Sequence, residues 1–125
     1  MREIVLTDRS PKPIGPYSQA IKVNGLLFVS GQVSIDPKNN EFAVGDIQQQ
    51  TERTLENLKG IVEAAGSKLS HVIKTTVFLK NMSDFAAMNE IYARYFSVAP
   101  PARSTVEVAR LPKDALIEME VIATV

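Results

Sequence analysis

Apolar and polar positions change their spacing several times along the chain, and each change marks an element. After Asp46, the residues Ile47, Thr51, Thr54, Leu55, Leu58, Ile61, Val62 and Ala65 recur on one stripe, with Gln48, Gln49, Glu52, Arg53, Glu56 and Lys59 off it. That spacing predicts an amphipathic helix. Asp46 stands where an N-cap carboxylate accepts from free amides, and Gly66 falls where a left-handed C′ residue is wanted. Gly60 costs the helix a little propensity. A second helix is expected to be capped by Ser83, to turn Phe85, Met88, Tyr92, Tyr95 and Phe96 inward, and to stop before Pro100-Pro101.

The remaining periodic segments read as strands. Ser18 to Val23 and Leu26 to Val33 flank Asn24-Gly25, a pair suited to the positive φ angles of a tight hairpin. Val72 to Lys80 is rich in β-branched residues, and Arg103 to Ala109 and Leu116 to Thr124 close the chain around a Pro112-Lys113-Asp114 loop. Three prolines between Ser10 and Tyr17 exclude helix and central strand there and predict an extended surface loop. The order is ββαβαββ, with an extra edge strand at Glu3 to Leu6, in one domain spanning residues 1–125. The fold class is α+β.

Leu26-Leu27-Phe28-Val29 and Val77-Phe78-Leu79 place large hydrophobes on both sides of their strands. Two helices delivered by right-handed crossovers cover only one side of a sheet, so the other side needs a partner. A homo-oligomer is therefore expected, and only a closed monomeric barrel would avoid it.

Composition narrows the chemistry. Fourteen Lys plus Arg balance fourteen Asp plus Glu, so no global field draws the chain to nucleic acid or acidic lipid. The absence of cysteine excludes disulfides, thiolate nucleophiles and cysteine-held metals, and the one histidine builds no zinc site alone. No segment approaches membrane-spanning length, and the cytoplasm is the simplest location.

Strand alternation puts Arg103, Thr105 and Glu107 on one face, and Leu116, Glu118, Glu120 and Ile122 on one face of the last strand. If the apolar sets face the helices, Arg103, Glu118 and Glu120 all point to the side that a partner covers. One reading makes them solvated charges or cross-strand ion pairs. The other makes Arg103 a fork for a substrate carboxylate and Glu118 a base for water, which together would hydrolyse a small acid. Asn89, on the apolar side of the second helix, is either a satisfied core residue or a group reaching a site. Ser30-Gly31 reads as a bulge or as backbone opened to a ligand, and no base is visibly paired with Ser30. Tyr17 packs at a rim or lines a pocket, and His71 reads as a strand-entry residue.

Four ordered blocks carry a resemblance. They are Pro13-Ile14-Gly15-Pro16-Tyr17-Ser18-Gln19-Ala20, Phe28-Val29-Ser30-Gly31-Gln32, Lys74-Thr75-Thr76-Val77-Phe78-Leu79 leading to Asp84-Phe85 and Asn89, and Pro101-Ala102-Arg103-Ser104-Thr105-Val106-Glu107-Val108-Ala109-Arg110-Leu111-Pro112-Lys113-Asp114 followed by Ile117-Glu118-Met119. Together they resemble the reactive-intermediate deaminase family, of Rid or YjgF type, over nearly the whole chain. The resemblance implies a chorismate-mutase-like subunit, a mixed sheet with two helices on one face, packed as a homotrimer with active sites between neighbours. It implies hydrolysis, without metal or organic cofactor, of 2-imino acids or enamines (2-aminoacrylate, 2-iminobutanoate, 2-iminopropanoate) to 2-keto acids and ammonia. Such substrates are released by pyridoxal-phosphate enzymes such as threonine and serine dehydratases.

By the same resemblance Arg103 is the carboxylate clamp, Glu118 holds and activates water, and Tyr17, Ser30, Gly31, Asn89 and Thr105 line the pocket. Position 105 is often cysteine in relatives and is threonine here, which rules out thiol chemistry, and the stretch between Phe96 and Arg103 is shorter than in some of them. A non-catalytic 2-keto acid sensor would use the same cleft without needing Glu118. An endoribonuclease or translation inhibitor ranks third, because no basic, aromatic stripe marks an RNA path.

Overall fold

Asn24 and Gly25 take φ angles of 51° and 76°, which reverses the chain in two residues and sets Val23 opposite Leu26. The computed structural model describes all residues from Met1 to Val125. Its elements are β1 (Glu3–Val5), β2 (Ala20–Val23), β3 (Leu26–Gln32), β4 (Ile35–Asp36), β5 (Glu41–Phe42), α1 (Ile47–Ala64), β6 (Val72–Leu79), α2 (Phe85–Tyr95), β7 (Ala102–Glu107) and β8 (Ile117–Thr124). Six strands form one sheet in the order β1-β2-β3-β8-β6-β7, and β4 pairs with β5 apart from it. Every pairing is antiparallel except β6 with β7, which α2 joins as a crossover. This is the expected mixed α+β sheet.

Both helices cover one face. Leu55, Leu58 and Ile61 of α1 and Met88, Ile91 and Tyr92 of α2 pack with Leu27, Val77, Met119 and Val121 of the sheet in one core. The other face keeps Ile4, Phe28 and Val106 at 61%, 42% and 42% exposure, an uncovered apolar surface that matches the two-sided pattern of the strands. No helix is long and apolar enough to cross a membrane.

Asp46 caps α1 reciprocally: its carboxylate accepts from the Gln49 amide and its own amide donates to Gln49 Oε1, each at 2.9 Å. Gly60 proves to be more than a propensity cost. A Cβ there would lie 2.8 Å from Ser10 Oγ and 3.0 Å from the Arg9 carbonyl, so glycine lets the N-terminal loop lie against the helix. Ser10 Oγ donates to the Asn57 carbonyl, while Asn57 Nδ2 donates to the carbonyls of Val33 (3.2 Å) and Ile35 (2.8 Å). Gln19 Nε2 donates to the carbonyls of Thr7 (3.0 Å) and Pro11 (2.9 Å), which ties the proline-rich loop to β2.

Three expectations change. The second helix is not capped by Ser83: a 3₁₀ turn over Met82–Asp84 runs directly into α2, and it is the Glu107 carboxylate on β7 that accepts from the Met82 amide (2.7 Å). Phe85 lies at the rim of that helix at 36% exposure, not inward. The third concerns the site. Arg103 is the register partner of Thr75, which is fully buried under the helices, whereas Glu118 and Glu120 partner Phe78 and Thr76 on the uncovered face. Arg103 and the two glutamates therefore do not share a face. The apolar residue of β7, Val106, points away from the helices, because register with β6 decides orientation and the edge strand has no apolar set strong enough to reverse it.

Candidate active site in two halves

The first half forms where β3 loses register with β8. Val29 faces Val121 and Gln32 faces Met119, so Ser30 and Gly31 together oppose Glu120 in a bulge. The Glu118 carboxylate occupies the space over Gly31: a Cβ built there would come within 2.9 Å of Glu118 Cδ and overlap its oxygen. Glycine is required for this close approach. Ser30 Oγ is spent on the Ser18 carbonyl (2.5 Å), so its hydroxyl anchors the bulge to the loop carrying Tyr17. Tyr17, itself half exposed, accepts at its hydroxyl from the Ile14 amide (3.4 Å). These groups line a cleft of about 490 Å³ with Lys12, Lys113 and Glu120.

Within that cleft Glu118 is partly buried and makes no ion pair. Burial, and secondarily the neighbouring Glu120 carboxylate, hold its pKa above the ordinary value. A carboxylate so placed is a better proton acceptor than a solvated one.

The second half lies on the helix-covered face. Helix α2 presents Phe85, Asn89 and Tyr92 at spacings of four and three, one stripe, to the Arg103 side chain. Arg103 Nη1 donates to Asn89 Oδ1 at 2.7 Å, and its guanidinium carbon sits 4.7 Å from the Tyr92 ring centre and 5.3 Å from that of Phe85. The ion pairs of the chain are Arg9–Glu63, Lys22–Glu3 and Arg110–Asp114, so the half-buried Arg103 charge has no carboxylate partner. A cleft of about 460 Å³ opens beside it, walled by Asn89, Tyr92, Ala93, Phe96, Pro100 and Pro101. Thr105, two residues along the same face of β7, has a buried hydroxyl with no hydrogen-bond partner.

Each residue that the resemblance assigns to the site thus falls in one half or the other, and His71 lies in neither. Tyr17, Ser30, Gly31 and Glu118 gather in the first, Asn89 and Arg103 in the second, with Thr105 on the Arg103 face of β7. Tyr92 lies in the core, as its inward position on the second helix predicts, and it also walls this cleft, which sequence reading did not anticipate. The signal was present in its spacing from Asn89 and Phe85, three positions on one helical stripe.

The Endoribonuclease L-PSP family model matches residues 7–125, and the chain belongs to that family, the Rid or YjgF type indicated by the sequence blocks. A RutC family protein of Pyrococcus horikoshii is 60% identical over 98% of both chains. A 2-iminobutanoate/2-iminopropanoate deaminase of Dermatophagoides farinae is 41% identical over 99% of this chain and 97% of its own. Among solved structures, Escherichia coli TdcF with bound serine superposes with a TM-score of 0.94 at 43% identity, covering 98% of each chain.

Proposed function

We propose that the protein is a hydrolytic deaminase that converts 2-imino acids and their enamine tautomers, such as 2-aminoacrylate, 2-iminobutanoate and 2-iminopropanoate, to 2-keto acids and ammonia. The observation that carries this reading is the Arg103 fork, half-buried, held by Asn89 and without a carboxylate of its own beside an open cleft. Such a fork suits a small carboxylate. The name of the Dermatophagoides relative and the serine in TdcF support a ligand of that size and kind.

Arg103 and Glu118 lie on opposite sides of the sheet, so a complete site needs Arg103 of one protomer beside Glu118 of the next. Opposite faces do not both meet the same neighbouring copy, so the contact is heterologous, and a closed ring is the arrangement that satisfies it in every protomer. The uncovered apolar face supports such packing, and a homotrimer is the ring we propose. Arg103 then grips the carboxylate, with Asn89 and Thr105 beside it. A protonated imine is already electrophilic, so orientation and water delivery suffice. Glu118 accepts a proton as water adds to the C=N carbon. Glu118 returns that proton to the carbinolamine nitrogen, and as the hydroxyl proton passes back to the carboxylate the C–N bond breaks, releasing ammonia and leaving a keto acid. Pyridoxal-phosphate dehydratases are the class of enzyme that supplies these substrates.

The test is ammonia release from an imino acid generated in situ, comparing wild type with Arg103→Ala and Glu118→Ala. Loss in both variants supports deamination. Tight binding of 2-oxobutanoate with no ammonia released by any of the three would make the protein a sensor.

A further inference from the structure

Helix α2 and strand β6 surround Arg103 with more than a cleft wall. Thr75 is its direct register partner on β6, fully buried, and Thr75 Oγ1 shares a 2.7 Å hydrogen bond with the Tyr92 hydroxyl. The Tyr92 ring lies against the guanidinium at 4.7 Å, and the Phe96 ring packs on Tyr92 at 4.8 Å between centres, tilted by 44°. Asn89, one turn earlier on the same helix, takes Nη1. We propose that Tyr92, locked by Thr75, is the positioning residue of the Arg103 clamp, fixing the plane of the fork before the ligand arrives; this rests on the carboxylate-binding reading of the cleft.

Three features carry it. An arginine stem has several rotatable bonds, and an unpaired fork loses that freedom on binding unless something already holds it. Asn89 restrains one nitrogen, which leaves rotation about that contact; a ring face restrains the plane. The ring has its own rotation stopped at the far end by a buried hydroxyl from the strand that sets the register of Arg103. A tyrosine whose only task was to fill the core would need no such bond, and phenylalanine would serve. Burial also pushes the Tyr92 hydroxyl above the ordinary phenol range, against the opposing pull of Thr75 and the Arg103 charge, so it stays a neutral partner to Thr75. The arrangement gives Thr75 a purpose that strand formation alone does not.

The test is a double-mutant cycle with 2-oxobutanoate as probe, read by titration calorimetry, alongside steady-state ammonia release. Tyr92→Phe and Thr75→Val each remove the lock and keep the volume; Thr75→Ser restores the hydroxyl. In the Arg103 background the first two are expected to weaken binding by about 3- to 10-fold, to raise KM by the same factor and to leave kcat within about twofold, with Thr75→Ser near wild type. In an Arg103→Lys background, which has no planar fork to hold, the same substitutions should cost less than about twofold. Equal losses in both backgrounds, or no loss in either, would overturn the proposal, since a purely structural tyrosine acts regardless of residue 103. Coupling without any ammonia release would sustain the clamp and defeat the deaminase reading. Turnover that depends on Arg103 and Glu118 but shows no coupling would do the reverse.

Discussion

Arg103 and Glu118 stand on strands separated only by β6, yet their side chains leave the sheet on opposite faces: one partners buried Thr75, the other Phe78 on the uncovered side. On the proposed reading, a protomer alone carries a carboxylate clamp with no base and a base with no clamp. Each half is nevertheless built, the clamp by an α2 stripe and the base by a bulge whose glycine makes room for it.

Glu118→Gln should cost activity and add stability. The raised pKa means that the folded state favours the protonated carboxyl, so its contribution to stability is fully present below the unfolded value and is lost as pH rises through the folded one. Glutamine keeps the neutral form at every pH. Its thermal midpoint should exceed that of wild type by a few degrees at pH 7 and coincide with it near pH 4, while kcat falls by about 10²-fold or more. Thermal melts at the two pH values check the sign.

Glu120→Gln removes the neighbouring negative charge that adds to the effect of burial on Glu118. The acid limb of the pH profile of kcat should move to lower pH, with the plateau kept within about threefold because Glu120 is exposed and two strand positions removed. A limb that stays in place would assign it to another group.

Gly31→Ala forces the Glu118 carboxylate out of its position, since the added methyl and the carboxylate claim the same space. Activity should fall by about 10-fold or more, with the melting temperature and 2-oxobutanoate affinity changed little, because the clamp half is untouched. Calorimetry alongside the ammonia assay separates the two.

Asn57→Ala should destabilise the fold. It takes the Asn57 donor from the Ile35 carbonyl and leaves the Val33 carbonyl with the Ile35 amide alone, at a cost of about 2 kcal/mol and a fall in melting temperature on the order of 10 °C. A denaturant titration checks the magnitude.

Most elements were legible because their signals are local. The α1 stripe, the Asp46 cap, the Asn24-Gly25 turn and Gly66, whose φ is 89°, each follow from nearest neighbours. The β4–β5 hairpin was not, because two-residue strands are too short to show a period. The orientation of Arg103 was misread for a different reason. An edge strand alternating Arg, Ser, Thr, Val and Glu has no apolar face to declare, and its sense is set by a long-range register with β6 that no local pattern encodes. The residues of the site were named from resemblance and alternation, but their separation into two halves is a property of the sheet. Gly60 similarly looked like a defect until the loop seated on it was seen.

The claim that one site draws on two protomers is tested most directly by mixing inactive variants. Arg103→Ala and Glu118→Gln, each inactive alone, are unfolded together in denaturant, refolded in equal amounts and assayed for ammonia release. Random assortment leaves about a quarter of the sites with an intact Arg103 from one chain and an intact Glu118 from its neighbour, so activity should return to about that fraction of wild type. Activity no higher than that of the separately refolded variants, in a mixture that has assembled normally, would contradict a shared site.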